Sequence, residues 1–182
     1  MLPHHPSCVI ETARLRLREM CDADAPFILE VLTDPDFIAN VGDRGVHDPA
    51  AAQRYISDKI IASYRCHGFG LYLVELRESA APLGICGLLR RDWHPDVEIG
   101  FAFVPRARRQ GYALEAATAT RDFAQGTLGL TRIVALASPG NRPSIRLLGL
   151  AGFRSERTLL FESGAREWLL LAWEPTPCTP RR

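Results

Sequence analysis

Between Thr12 and Arg18 the chain alternates Leu15 and Leu17 with Arg14, Arg16 and Arg18. That period of two predicts a half-buried strand whose arginine face is turned to solvent. Asp24 followed by Pro26 reads as a capped helix start, with Phe27, Ile28, Val31 and Leu32 on one face and Asp34-Pro35 as the stop. A second helix is expected from Asp48-Pro49, where Ala52, Ile56 and Ile60 recur every four residues until His67-Gly68. Three short apolar runs follow, Phe69 to Leu76, Leu83 to Leu89 and Val97 to Val104, with turn composition at 79–82 and 92–95. They read as a meander. Gly111 to Gln125 predicts a helix with a small-residue side made of Ala113, Ala116, Ala117, Thr120 and Ala124. Ile133 to Ala137 predicts a buried strand, and Pro143 to Ala151 a short helix closed by Gly152. Thr158 to Phe161 and Trp168 to Trp173 complete the pattern as strands around a Ser163-Gly164 turn.

The strand–helix–strand unit from Val97 through Ala137 should form a parallel crossover in a mixed sheet. With 182 residues and no repeat or linker, one domain accounts for the chain. The charge balance, 22 Lys and Arg against 21 Asp and Glu, sets up no field that would recruit nucleic acid or a membrane surface. Lys59 is the one lysine among those cations, and it lies in no G-x-x-x-x-G-K-[ST] stretch and follows no Gly-rich loop. Walker-type nucleotide enzymes are therefore excluded and protein kinases disfavoured. The five cysteines are scattered and never spaced C-x-x-C, as expected of reduced thiols, and no His or Cys spacing suggests a metal. The apolar runs fall short of the ~20 residues a membrane span needs. The opening residues lack the basic and apolar regions of a signal peptide. A cytoplasmic protein is expected.

The most informative segment is Val104-Pro105-Arg106-Ala107-Arg108-Arg109-Gln110-Gly111-Tyr112-Ala113-Leu114-Glu115. It leaves a strand, passes a basic turn and opens a helix on a glycine and a small residue. A helix start offers unpaired N–H groups and the positive end of a dipole. With arginines around it, such a turn suits phosphate or pyrophosphate; an arginine-rich surface turn is the plainer reading.

Taken in order, these segments resemble the GNAT superfamily of N-acetyltransferases, and within it the group of ribosomal-protein N-terminal acetyltransferases (Rim-type). The loop matches [QR]-x-x-G-x-[GA] as Arg108-x-x-Gly111-x-Ala113. Glu98-Ile99-Gly100-Phe101 is similar to the fourth strand, and Asn141-Arg142-Pro143-Ser144 with Gly152-Phe153 to the N-x-x-S and K-x-G-F region. Glu11 to Arg18 is similar to the opening strand. The resemblance covers residues 9–174 as a single domain, with 1–8 and 175–182 as loose tails. It implies an α/β fold: a mixed, mostly antiparallel sheet with helices on both faces and a splayed parallel strand pair.

It also implies acetyl-CoA as co-substrate. The pyrophosphate would lie on the N–H groups of Arg109, Gln110, Gly111, Tyr112 and Ala113, with the Arg108 and Arg109 side chains near the phosphates. The pantetheine arm would pair with the main chain of Phe101, Ala102, Phe103 and Val104, where Ala102 suits a strand bulge and a backbone N–H could hold an oxyanion. Asn141 is either a pantetheine ligand or a helix cap. Many members use a tyrosine as the acid for the leaving thiolate; Phe153 stands in that region here, so Ser144 takes the role by resemblance to the ribosomal enzymes, or else is simply a first-turn helix serine. Glu98 is the candidate base, or else a structural carboxylate paired with an arginine.

The resulting expectation is direct acetyl transfer, without metal, to a primary amine of a protein N-terminus or a small molecule. A binding-only acyl-CoA sensor is the alternative. Asp36, Asp43 and Asp48 either offer an acidic wall to a cationic acceptor or are what a polar loop contains. Monomer and homodimer both stay open, and a Rossmann site is excluded because Leu73 stands where Gly68-Phe69-Gly70 would need its third glycine.

Overall fold

A computed structural model describes residues 7–92, 94–160 and 167–175. Its eight strands are β1 Cys8–Glu11, β2 Leu15–Arg18, β3 Leu71–Leu76, β4 Pro82–Leu89, β5 Val97–Phe103, β6 Ile133–Ala137, β7 Arg154–Leu160 and β8 Glu167–Trp173. They form one sheet in the order β1-β2-β3-β4-β5-β6-β8-β7. Every neighbouring pair is antiparallel except β5 and β6. Among the described residues the six α-helices are α1 Ala25–Leu32, α2 Pro35–Val41, α3 Pro49–Tyr55, α4 Ala62–His67, α5 Tyr112–Gly126 and α6 Arg142–Leu150.

The meander β3-β4-β5 and the crossover β5-α5-β6 are as the periodicity predicts. Helix α5 turns Ala116, Ala117, Thr120 and Ala124 into the core and packs on β4 and β5. Small residues on that side let the helix axis come close to the sheet. At the contact, Cys86 Sγ on β4 lies 3.4 Å from Thr120 Oγ1.

Several local expectations are corrected. The single strand at Thr12–Arg18 is a hairpin: Thr12 N–H donates to Leu15 O and its hydroxyl accepts from Leu15 N–H, so 12–14 turn and β1 precedes them. Leu15 and Leu17 are fully buried, as alternation requires. The arginine face is not simply solvated. Arg18 forks onto Asp24 at 2.8 and 2.9 Å and reaches the buried Glu75 at 3.0 Å. Asp24 stands at the start of α1 but gives its carboxylate to Arg18 and to Cys21 N–H. Charge pairing outcompetes capping there.

Asp34-Pro35 ends one helix and begins another. Asp34 Oδ1 accepts from Phe37 N–H with Pro35 in the first turn, the arrangement of a helix N-terminus. The helix from Pro49 to His67 is interrupted by a π-helical stretch, Ile56–Ile61. Such i→i+5 stretches are rare and recur at functional sites. Strand β7 begins at Arg154, earlier than Thr158; its predicted end at Phe161 and the Ser163-Gly164 turn lie outside the described residues.

Candidate active site and coenzyme cradle

Strands β5 and β6 pair at Val97↔Ile133 and Glu98↔Val134, with no further pairing of the two among the described residues. Beyond that point they part. Ile99 to Ala102 on one side and Ala135 to Ala137 on the other line a cleft of about 840 Å³. The splay needs no bulge at Ala102, because β5 stays in unbroken register with β4 from Glu98↔Leu89 to Phe103↔Gly84.

The direction of the main-chain groups follows from one bond. Val104 N–H donates to Leu83 O at 3.1 Å. Polar direction alternates along an antiparallel strand, so Ala102 is likewise committed to β4. Phe101 and Phe103 turn their N–H and C=O groups the other way, toward the opening. Phe103 O is taken by Arg108 Nε at 2.8 Å.

The loop after β5 meets the start of α5. Arg109 and Gly111 both take left-handed conformations, with φ +60° and +81°. The first intrahelical bond of α5 runs from Glu115 N–H to Gly111 O, and the helix has no side-chain cap. The N–H groups of its first turn are thus left for a ligand or solvent. Arg109 and Gln110 are exposed beside them, and Tyr112 and Ala113 half-buried.

Arg108 points elsewhere. Its guanidinium pairs with Asp34 at 2.6 Å and with Asp36, tying β5 to the start of α2. The cation drawn to the loop is Arg14, which no local pattern marks. It donates to Gln110 O at 3.1 Å, pairs with Glu115 at 2.7 Å and stacks over the Tyr112 ring at 4.5 Å. Burial alone would raise the Glu115 carboxyl, but the Thr12 hydroxyl and the Arg14 amide and guanidinium hold it below its usual value.

Glu98, Phe101, Ala102, Asn141 and Ser144 all line the cleft, whereas residues 108–113 lie outside its lining. Glu98 is buried and accepts from Arg91 Nε at 3.0 Å, so the structural pairing is present. A carboxylate has about four lone-pair sites, and one guanidinium does not fill them. Asn141 caps α6, its Oδ1 accepting from Ser144 N–H at 3.2 Å. The amide's NH₂ end stays available to donate, so capping and ligand binding are compatible. Ser144 sits in the first turn of α6, where the helix dipole favours negative charge.

Two further cleft residues, Tyr55 and Arg91, were not marked by any motif. Burial raises the Tyr55 phenol, and the charges of Arg44 and Arg91 oppose that rise. The expected acidic wall is absent. Asp34 and Asp36 share the single Arg108 guanidinium, Asp43 bonds Gly45 N–H and lies 3.3 Å from His47, and Asp48 caps α3. None of the four lines the cleft. Burial pushes the Cys86 thiol up to about 12, which leaves it inert as a nucleophile near neutrality.

Splayed parallel strands beside an uncapped glycine-led helix are what the acetyltransferase resemblance implies. Residues 14–154 match the acetyltransferase (GNAT) domain model, and the chain belongs to that family. It is 27% identical over 161 residues to the N-acetyltransferase YoaA of Bacillus subtilis, covering 86% of this chain and 90% of that protein. An acetyltransferase from Agrobacterium tumefaciens superposes with a TM-score of 0.78 at 27% identity, over 96% of this chain and 98% of that one. The ribosomal-protein-S5-alanine acetyltransferase of Vibrio fischeri shares the fold at a TM-score of 0.74 and 17% identity, over 93% and 98% of the two chains. The protein is an acyltransferase, and its fold implies acetyl-CoA as co-substrate.

Proposed function

We propose that this enzyme passes acetyl directly from acetyl-CoA to a primary amine, on a protein N-terminus or a small molecule. The observation that carries the reading is the parting of β5 from β6 after Glu98↔Val134, next to the uncapped start of α5. The phosphates lie on the N–H groups from Arg109 to Ala113, with the Arg109 and Arg14 side chains beside them. The pantetheine arm pairs with the main chain of Phe101 and the N–H of Phe103, both turned away from β4, and the NH₂ end of Asn141 donates to it. This brings the thioester into the opening, where the Phe101 N–H stabilises charge developing on its oxygen. Ser144 hydrogen-bonds the departing sulfur.

Glu98, directly or through a water, takes the proton that the amine must lose. Much of the rate then comes from holding amine and thioester together. The test is acetyl-CoA consumption across a panel of peptides and small amines, in wild type and Glu98→Gln. The loss in Glu98→Gln should be large near neutral pH and fade at high pH, where the amine is already deprotonated. Initial rates should fit a sequential pattern. A ping-pong pattern, or an acetyl group trapped on Ser144 or a cysteine, defeats direct transfer.

A further inference from the structure

The cleft carries more positive charge than the reaction needs. Four cations, Arg44, Lys59, Arg90 and Arg91, line it against two carboxylates, Asp58 and Glu98. Arg91 is spent on Glu98. The side chains of Arg44, Lys59 and Arg90 hold no hydrogen bond or ion pair with any described residue, and all three are exposed.

Arg90 and Arg91 stand at the Glu98 end of the cleft. They follow Leu89, which pairs with Glu98 at the beginning of β5. The glycine-led loop lies past the other end of that strand, about 20 Å away at ~3.3 Å per residue. Lys59 comes from the π-helical stretch. Arg44, Arg91 and Tyr55 all line this cleft. Three loosely held cations therefore share one cleft with Glu98, and residues 108–113, the seat expected for the coenzyme phosphates, do not line it. A cleft of about 840 Å³ is of small-molecule size.

Resting on the transfer reading above, we infer that the acceptor is a small amine that also carries an anionic group, a carboxylate or a phosphate, which Arg44, Lys59 and Arg90 receive while the amine faces Glu98. A polyamine is disfavoured, because its second ammonium enters a positive field and meets no acidic wall.

The test compares kcat/KM for β-alanine, O-phosphoethanolamine, n-propylamine and 1,3-diaminopropane, each with saturating acetyl-CoA. The anionic amines should exceed propylamine by about ten-fold at low salt, and the diamine should fall below it. The advantage should shrink in about 0.5 M salt, because exposed charges are screened. The better of β-alanine and O-phosphoethanolamine identifies the anion as carboxylate or phosphate. In Arg44→Gln and Lys59→Gln, checked for folding by thermal melts, the ratio of anionic to neutral amine should drop several-fold while the Kd for coenzyme A holds within about two-fold.

Preference for the diamine at low salt, or a ratio unmoved by both substitutions, overturns the inference and leaves the transfer reading standing. So does weaker coenzyme binding with an unmoved ratio, since the cluster would then serve the coenzyme's phosphates. No turnover of these amines or of peptides defeats the transfer reading itself, and this inference with it.

Discussion

Arg14 Nη2 stands 3.3 Å from the point where a β-carbon on Gly111 would lie. The two residues come from the opening hairpin and the start of α5, and they close one corner of the turn proposed to hold the coenzyme phosphates. Arg14 holds that place by pairing with Glu115 and stacking on Tyr112. Gly111 holds its own by a φ of +81°, a conformation that costs an L side chain roughly 1–2 kcal/mol.

Gly111→Val should therefore fold with a modest loss of stability and bind coenzyme A at least ~10-fold more weakly, as isothermal titration can measure. Arg14→Ala should weaken binding several-fold at low salt and less at high salt. Arg108→Ala should act differently. It strips the partner from a nearly buried Asp34, so urea denaturation should report a stability loss of about 1–3 kcal/mol, and coenzyme affinity should change less than in Arg14→Ala. A folded Gly111→Val protein with unchanged affinity removes the loop from the coenzyme site.

Ser144→Ala tests the departing sulfur. Loss of one hydrogen bond to a developing charge should lower kcat about ten-fold, equivalent to ~1.4 kcal/mol of barrier, with coenzyme affinity little changed. A loss of several orders would indicate a covalent nucleophile. Equal kcat would hand the thiolate's proton to solvent.

The Arg18–Asp24 pair predicts an acid-dependent stability. Burial alone would raise the Asp24 carboxyl, but the Arg18 guanidinium and the Cys21 N–H hold it below its usual value. A carboxyl lowered by folding binds its proton less readily in the folded state than in the unfolded one. Its contribution is complete above the unfolded value near ~4 and is lost as pH falls through the folded value. Asp24→Asn should cost about 2 kcal/mol at pH 7. Denaturation midpoints should show that gap narrowing steadily below about pH 4. A gap constant with pH would mean that the charge of Asp24 contributes nothing.

Much of the frame is legible in the chain because it depends on local spacing. Leu15 and Leu17 bury wherever the strand lies, and the alanines of α5 share a side at any packing angle. The ordered motifs from Glu98 through Gly111 to Ser144 identify the family without coordinates. The chain alone also separates the turn that offers free N–H groups from the strand that leads into it.

What the tertiary structure decided concerns partners far apart in sequence. Alternation gives Arg14, Arg16 and Arg18 one outward face. Only the fold sends Arg14 to the helix start, Arg18 to Asp24 and Glu75, and Arg108 away from the loop to Asp34 and Asp36. Asp36, Asp43 and Asp48 read as an acidic wall until their neighbours are known, and the cations that line the cleft come from three separate segments. A residue's periodicity fixes whether it is inside or outside, because that depends on backbone geometry. Which charge it meets depends on chain crossings that no local pattern encodes.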